Sequence, residues 1–289
     1  MEIRELAPVG TKTTMRIGGR ARFYAEPASR ADVEEANAFA ASKGVPLIVL
    51  GGGSNTIFAD EAVEALVIRL KHDATAVEAG RVRVGAGKIL ALLLNELAER
   101  DLDLSALTGI PGTVGGALFG NAGQGPGGVW IDRFVREVTA YVGGEWKTFT
   151  PEECRFRYRE SAFKEIAGPV ILWEAVLEVP LRPAAEIQAE IARLLQKRLE
   201  TQPHLKTAGS CFKALPDGTP AWKLIEAAGL RGLQVGGVQV SEKHCNFLLN
   251  TGTATFADAV EMTRVIREKI PRIAGIEMRF YGRDGRLAA

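Results

Sequence analysis

The feature that most restricts the fold of this sequence is a pair of glycine-rich segments, at residues 51–55 and 109–116. The first reads Gly-Gly-Gly-Ser-Asn and follows an apolar stretch at 46–50 that predicts a buried strand. Backbone without side chains lets N–H groups approach an anion closely, and such loops suit phosphates. One segment alone would favour a simple tight loop, but the two together favour a ligand that carries a diphosphate.

The standard nucleotide motifs are absent from these segments. G-x-G-x-x-G patterns that start at Gly51 and at Gly85 both lack the last glycine, which disfavours a Rossmann fold. The residues 82–89 do not complete a Walker pattern, and Ser210 lacks both glycines of a hydrolase elbow. A mononucleotide kinase and a serine hydrolase are therefore disfavoured.

Charge and hydropathy exclude further classes. The 289 residues include 36 Lys+Arg and 35 Asp+Glu, a net charge of +1, which predicts no nucleic-acid partner. The longest apolar stretch, 89–94, is far shorter than the roughly 20 residues of a membrane-spanning helix, so no membrane insertion is expected. The amino terminus shows no secretory signal, which predicts a cytoplasmic protein.

The cysteines and histidines predict neither disulfides nor a metal site. Cys154, Cys211 and Cys245 are odd in number and widely spaced, so reduced and buried thiols are expected. His244 and Cys245 are adjacent, but neighbours in a strand point to opposite faces, and no metal is predicted.

Hydrophobic periodicity and Gly/Pro punctuation predict an α+β chain. Ser29 with Asp32 predicts a helix start and Gly44 its end. Gly143-Gly144 predicts a hairpin turn, and Pro180 and Pro183 a lobe boundary. Further helices are expected at 88–100, 184–199, 222–228 and 255–269. Strands are expected at 66–70, 82–84 and 170–179, near 238 and 247, and at 275–282. In the last strand, strict alternation places Ile276, Met278 and Phe280 on one face and Glu277, Arg279 and Tyr281 on the other.

Seven segments, taken in order, resemble the UDP-N-acetylmuramate dehydrogenase family, flavoenzymes of bacterial cell-wall synthesis also called UDP-N-acetylenolpyruvoylglucosamine reductases. Each segment alone is weak, but the ordered set is specific and covers nearly the whole chain. The length resembles the branch without the tyrosine-loop insertion. The matching segments are 13–19, 50–55, 109–116 with 121–123, 158–163, 209–213, 240–244 and 275–280.

The resemblance implies a two-lobed FAD-binding domain of the vanillyl-alcohol-oxidase/PCMH type and a carboxyl-terminal α+β substrate-binding domain. The lobes would span 1–70, 71–181 and 182–289. It also implies that NADPH reduces bound FAD, and that hydride then passes to the enolpyruvyl ether of UDP-N-acetylglucosamine enolpyruvate. The product would be UDP-N-acetylmuramate, a peptidoglycan precursor. The oligomeric state stays open.

The same resemblance assigns site residues. Arg159 and Glu277 would polarise the substrate carboxylate, Ser210 would donate the proton, and Tyr158 and Lys213 would contact substrate phosphate or carboxylate. The FAD-binding set would be Gly51, Gly52, Gly53, Ser54, Asn55, Gly112, Thr113, Val114, Gly115, Gly116 and Asn121.

Two departures and one ambiguity accompany these assignments. Ala214 stands where the family often has Asn, and residues 124–126 replace a segment that often contains Tyr. Cys211 is an alternative acid to Ser210, because a thiol with a pKa of about 8.5 releases its proton more readily than a hydroxyl.

Two other functions stay open. One is a different flavin enzyme on the same scaffold, such as an oxidase of another small molecule, because function belongs to the site and not to the fold. The other is a nucleotide-binding module without catalysis. The trio of Ser210, Lys213 and Glu277 favours the reductase over a different flavin enzyme, and flavin absorbance of the purified protein would exclude the non-catalytic module.

Overall fold

The computed structural model describes residues 1–78, 80–124, 128–204, 206–273 and 275–288, and the chain divides into two compact units. Unit 1 comprises Met1–Ile3, Ala25–Gly52 and Leu66–Arg198. Unit 2 comprises Arg4–Tyr24, Gly53–Ala65 and Leu199–Ala289. Segment 1–70 therefore contributes residues to both units, and the three lobes 1–70, 71–181 and 182–289 stay a prediction.

An antiparallel five-stranded sheet forms the centre of unit 1. Its strand order is β6-β7-β10-β8-β9, and the turn between β8 and β9 has φ angles of 62° at Gly143 and 88° at Gly144. The predicted hairpin is therefore confirmed, because only glycine adopts such angles without strain. The strands are β6 (Thr75–Glu78), β7 (Arg81–Gly85), β8 (Val135–Val142), β9 (Glu145–Phe149) and β10 (Val170–Glu178).

Helix α1 (Arg30–Lys43) leads into the first glycine segment. Ser29 and Asp32 form a reciprocal capping box at its start, and Gly44 ends it with φ 63°, as predicted. The next strand, β3 (Leu47–Val49), pairs in parallel with the second half of β5 (Val63–Ile68). Residues 51–55 therefore leave the end of a parallel strand.

The remaining helices of unit 1 differ from the predictions in two respects. We expected Ile89, Leu92, Leu93 and Leu97 to share one apolar stripe on α2 (Leu90–Ala98), but Leu92 is 59% exposed, while Leu94 is buried. Helix α3 (Val114–Phe119) was not predicted, because its glycines obscure the periodicity. The others are α4 (Pro151–Cys154) and α5 (Ala184–Thr201), with 3-10 helices at Ser105–Leu107, Ile131–Arg133 and Ala162–Lys164.

Unit 2 contains most of the amino-terminal strands and a second four-stranded sheet. β1 (Ile3–Pro8) and β2 (Arg20–Ala25) belong to a sheet of order β1-β2-β5-β3, and a 3-10 helix spans Gly10–Lys12. The second sheet has the order β11-β14-β13-β12. Its strands are β11 (Thr207–Ser210), β12 (Gln234–Val235), β13 (Val238–Val240) and β14 (Phe247–Asn250).

One hydrophobic core holds unit 2 together. Helices α6 (Ala221–Ala227) and α7 (Phe256–Lys269) contribute Ile225 and Met262, and the amino-terminal segment contributes Met15 and Ile17. These four side chains are fully or almost fully buried, so the first residues of the chain stabilise a core built mostly from its last hundred.

The last predicted strand is shorter than expected. β15 (Arg279–Tyr281) pairs in parallel with β4 (Thr56–Phe58) over three residues. The alternation places Phe280 and Tyr281 on opposite faces, and both are buried: Tyr281 is 8% exposed, and its ring stacks on Phe58 with 5.6 Å between centroids. Within the described ranges, no helix combines the length and the apolar character needed to cross a membrane.

Candidate active site

The two glycine segments contact each other in unit 1. A Cβ atom added to Gly52 would lie 2.5 Å from the Cα atom of Gly112, and one added to Gly51 would lie 2.8 Å from Oγ1 of Thr113. Real Cβ atoms do not approach other atoms so closely, so the backbones can pack here only because both positions are glycine. The predicted loops thus form one site.

The backbone amides of this site fall into two groups. Those of Val114, Gly115 and Gly116 donate within the chain, to Lys88 O at 2.9 Å, Ala86 O at 2.9 Å and Thr113 Oγ1 at 3.2 Å. Among the described residues, no acceptor receives the amides of Gly51, Gly52 or Gly112. Because backbone donors normally have partners, these three N–H groups are available to an anion.

One face of α3 carries no side chains. A Cβ atom on Gly116 or Gly120 would meet its nearest neighbour only at 3.6 Å, and that neighbour lies in the same turn or its cap. Gly115 differs, because its Cβ atom would lie 2.9 Å from the Cβ atom of Ala86. A bare helix face beside unpaired amides fits a flat cofactor with a diphosphate, and FAD is such a molecule.

Asn121 uses its side chain inside the protein. It is 2% exposed, and its Nδ2 atom donates to Asp132 Oδ2 at 3.0 Å and to the carbonyl of Arg157 at 3.1 Å. Its Oδ1 atom accepts from the Asp132 amide at 3.3 Å. The amide of Asn121 therefore holds the segment that precedes Tyr158.

Gln124 is the first residue of the segment 124–126 that departs from the family pattern. Gln124 donates its side-chain amide to the carbonyls of Ala106 and Thr108, at 3.1 and 3.0 Å, and so supports the turn before the second glycine segment. Gly125 and Pro126, which replace the tyrosine region of the family, lie outside the described residues.

Trp130 supports both Tyr158 and Arg159 in unit 1. The guanidinium carbon of Arg159 lies 5.2 Å from the centre of the Trp130 ring, and the Tyr158 ring meets the same ring edge-on at 5.3 Å. Lys164 donates to the carbonyl of Arg159 at 2.6 Å, and Arg159 has a positive φ of 56°. An aromatic face orients the guanidinium, a role that the sequence analysis did not assign to Trp130.

The other two arginines of that run make surface ion pairs. Arg155 and Arg157 both bond the carboxylate of Glu165, the first at 2.7 Å, and all three side chains are exposed. Such pairs contribute at most about 1 kcal/mol of stability.

A second guanidinium, that of Arg198 on α5, lies near Arg159. Its Nη1 atom donates to the carbonyl of Gly109, while its buried Nε atom has no acceptor among the described residues. Burial, and then the positive charge of Arg159, lower the pKa of Arg198 from its ordinary value. Unit 1 therefore places two cationic groups together, and an anion would relieve their repulsion.

In unit 2, Asn246 holds the segment that starts with Ser210. The Asn246 carbonyl accepts from the Cys211 amide at 2.8 Å. Its side chain accepts from the Phe212 amide at 3.0 Å and donates to the Phe212 carbonyl at 2.9 Å. Asn246 is 6% exposed, so these bonds are protected from water, and Ser210 itself pairs with Phe247 in the sheet.

The segment that contains Glu277 lies on the other side of Ser210–Lys213. The Glu277 amide donates to the Cys211 carbonyl at 2.8 Å, and the Lys213 amide donates to the Gly275 carbonyl at 3.0 Å. The two segments run antiparallel through the Phe212–Ile276 bridge. The structure therefore brings the backbone that carries Ser210 and Lys213 next to that of Glu277, more than sixty residues further along the chain.

Cys211 is deeply buried. Its side chain is 1% exposed, and burial raises the pKa of the thiol to about 12. The prediction of buried, unpaired thiols is confirmed for all three cysteines. In the described part of the chain, no group of three or more His, Cys, Asp or Glu residues could hold a metal ion.

Comparison with known families defines the class of the protein. A family model described as an FAD binding domain matches residues 21–143, and one described as the carboxyl-terminal domain of UDP-N-acetylenolpyruvoylglucosamine reductase matches residues 186–280. The chain is an FAD-dependent oxidoreductase with an α+β fold and a PCMH-type flavin domain, and both the fold class and the FAD cofactor are confirmed.

Full-length relatives identify the family. The UDP-N-acetylenolpyruvoylglucosamine reductase of Geobacter metallireducens is 38% identical over 98% of this chain and 95% of its own length. The enzyme of the same name from Paramagnetospirillum magneticum is 39% identical over 94% of this chain and 88% of its own. The crystal structure of UDP-N-acetylenolpyruvylglucosamine reductase from Thermus caldophilus has a TM-score of 0.82 and 33% identity, covering 96% of this chain and 98% of that one. The chain belongs to the UDP-N-acetylenolpyruvoylglucosamine reductase family.

Proposed function

We propose that this protein reduces UDP-N-acetylglucosamine enolpyruvate to UDP-N-acetylmuramate with NADPH, as a cytoplasmic step of peptidoglycan precursor synthesis. Membership of the reductase family supports the reaction and the two substrates. The observation that carries the residue assignments is the antiparallel pairing of the Ser210 and Glu277 segments in unit 2. Bound FAD supplies the hydride chemistry of both half-reactions.

The FAD diphosphate is held by the glycine loops. Gly51, Gly52 and Gly112 supply the unpaired amides, with Gly53 and Ser54 continuing the first loop. Thr113, Val114 and Gly115 build the frame of the second loop, since the amides of the latter two already donate within the chain. Gly116 leaves room for the cofactor on α3. In this assignment lobes 1–70 and 71–181 hold FAD, and 182–289 holds the substrate.

Ser210 donates the proton that completes the lactyl group. A hydroxyl is a weak acid, so the acceptor must be a strongly basic carbanion, such as the α-carbon after hydride reaches the β-carbon. The ladder to β14 and the bonds from Asn246 fix the backbone on both sides of Ser210. Cys211 is not a competing donor, because its side chain is 1% exposed and so is shielded from a bound substrate.

Arg159 and Glu277 stabilise the charge that develops on the substrate carboxylate. A guanidinium stays protonated and donates from a fixed plane, and Trp130 holds that plane in place. Glu277 acts as a hydrogen-bond donor, because a bare carboxylate there would oppose the negative charge of the transition state. Tyr158 and Lys213 bind substrate phosphate or carboxylate.

Stopped-flow measurement of flavin absorbance tests this proposal. NADPH should bleach the oxidised holoenzyme, and UDP-N-acetylglucosamine enolpyruvate should restore the flavin absorbance without oxygen. A holoenzyme that is bleached by NADPH but restored only by another oxidant would favour a different flavin enzyme. A colourless protein that does not take up FAD would favour the non-catalytic nucleotide-binding module.

A further inference from the structure

Asn55 contacts the segment of Glu277 with both its side chain and its backbone. The Nδ2 atom of Asn55 donates to the carbonyl of Glu277 at 2.8 Å, and the carbonyl of Asn55 accepts from the Arg279 amide at 2.9 Å. All three residues belong to unit 2. The resemblance assigned Asn55 to the cofactor, yet its side-chain amide donates to Glu277, the residue proposed to stabilise the charge on the substrate carboxylate.

The bond from Asn55 extends a short ladder. β4 and β15 pair in parallel only over Arg279–Tyr281, with Arg279 opposite Thr56. Glu277 lies before β15, where the described chain forms no regular strand. The side chain of Asn55 therefore supplies the bond to Glu277 that the ladder itself does not reach.

Glu277 is consequently held through both of its backbone polar groups. Its amide donates to the carbonyl of Cys211 at 2.8 Å, and its carbonyl accepts from Asn55. The first bond ties it to the proton-donor segment and the second to the last residue of the 51–55 loop. Fixing the backbone at two points restricts where the carboxyl group can go, which is how supporting residues preorganise an active site.

We propose that Asn55 is a positioning residue for Glu277, one that links the placement of this acid to the loop 51–55. The inference rests on the proposed function, since it assigns Asn55 through the role of Glu277. Asn55 itself touches no reacting atom in this assignment. A hydrogen bond of this kind changes an equilibrium or a rate by about 3- to 10-fold.

The test compares Asn55→Ala and Asn55→Asp with Asn250→Ala in the FAD-loaded full chain. Asn250 is the structural control: it is also an asparagine of unit 2 whose Nδ2 atom donates to a backbone carbonyl, that of Met15 at 2.9 Å, but unlike the exposed Asn55 it is buried, and its Oδ1 atom also accepts from the amides of Gly252 and Ala254. Asn55→Ala should leave FAD content and reduction by NADPH within about twofold, while reoxidation by the enolpyruvyl substrate slows about 3- to 10-fold. Asn250→Ala should lower the melting temperature without slowing one half-reaction more than the other.

Asn55→Asp provides a readout that a purely structural role would not move. It removes the donor and adds a negative charge beside Glu277, and a like charge raises the pKa of a carboxyl. Carbon NMR of the oxidised holoenzyme should therefore show the Glu277 carboxyl titrating at higher pH than in the wild type. The pH at which reoxidation declines should move in the same direction, whereas Asn250→Ala should move neither.

Two results would overturn the inference: selective loss of FAD from Asn55→Ala with normal reoxidation of the remaining holoenzyme, or an unshifted Glu277 titration in Asn55→Asp. The first would make Asn55 a cofactor ligand only. If the wild type is not reoxidised by the enolpyruvyl substrate, the proposed function fails. In that case the NMR titration still tests whether Asn55 positions Glu277, because it needs no substrate.

Discussion

The glycine site of unit 1 and the Ser210–Glu277 region of unit 2 are built in opposite ways. In unit 1, packing at Gly51 and Gly52 depends on absent side chains, and these residues and Gly112 carry amides without an acceptor in the described chain. In unit 2, the backbone of Ser210–Lys213 is bonded on both sides. Added atoms should therefore disturb cofactor binding in unit 1, and removed atoms should disturb the rate in unit 2.

The largest effect is expected for Ser210→Ala. Flavin reduction by NADPH should continue near its normal rate, while reoxidation by the enolpyruvyl substrate slows about 10²- to 10⁴-fold, because general acid catalysis is lost. Stopped-flow absorbance separates the two steps. Equal slowing of both half-reactions would show that Ser210 is not the proton donor.

Glu277 should show a graded effect. Glu277→Ala should slow reoxidation about 10²- to 10³-fold, the usual result of removing a donor from a site where charge develops. Glu277→Gln keeps an N–H donor and should lose only about 10-fold. Equal losses in single-turnover reoxidation would contradict hydrogen-bond donation by Glu277.

Gly116→Ala and Gly115→Ala test whether added atoms in unit 1 disturb cofactor binding. A Cβ atom at Gly116 would meet only Oγ1 of Thr113, at an ordinary 3.6 Å, so the alanine variant should weaken FAD binding about 10-fold if the cofactor occupies the space beyond it. Its apoprotein should melt at the same or a higher temperature, because alanine favours a helix over glycine by about 0.5–1 kcal/mol. Fluorescence titration with FAD and thermal unfolding measure the two effects.

Gly115→Ala is the matched control for this pair. Its Cβ atom would lie 2.9 Å from the Cβ atom of Ala86, so the variant should destabilise the apoprotein. Unchanged FAD affinity in Gly116→Ala would show that the bare face of α3 is not covered by the cofactor.

The smallest effect is expected for Cys211→Ala. A thiol with a pKa of about 12 stays protonated through the neutral range, so the pH profile of reoxidation should not change. The rate should stay within about twofold, and a small cavity should reduce stability by about 1 kcal/mol. A loss as large as that of Ser210→Ala would restore Cys211 as a candidate acid.

Helix caps and turn glycines correctly predicted where some elements begin and end. Ser29, Asp32 and Gly44 bound α1, and Gly143-Gly144 makes the β8–β9 turn, because caps and tight turns depend on residues close together in sequence. Alternation placed Tyr281 opposite Phe280 but did not show that Tyr281 is buried against Phe58, which comes from a strand more than two hundred residues earlier. Alternation along one strand cannot reveal a parallel partner of that kind.

Motif order identified the candidate site residues, whereas their hydrogen-bond partners required the structure. The sequence does not show that the amides of Val114 and Gly115 are already used, or that the Asn121 side chain is committed to Asp132. Trp130 and Asn246 were missed for the same reason. Each acts through a tertiary contact to another segment, and no local pattern marks such a residue.

The burial of Met15 and Ile17 has a consequence for biosynthesis. Their neighbours in the core, apart from Ile57, come from residues 208–280, so these side chains emerge from the ribosome long before anything can cover them. Unit 2 can condense only after residues 208–280 have been synthesised. The nascent chain therefore exposes Met15 and Ile17 until α7 and β15 have left the ribosome.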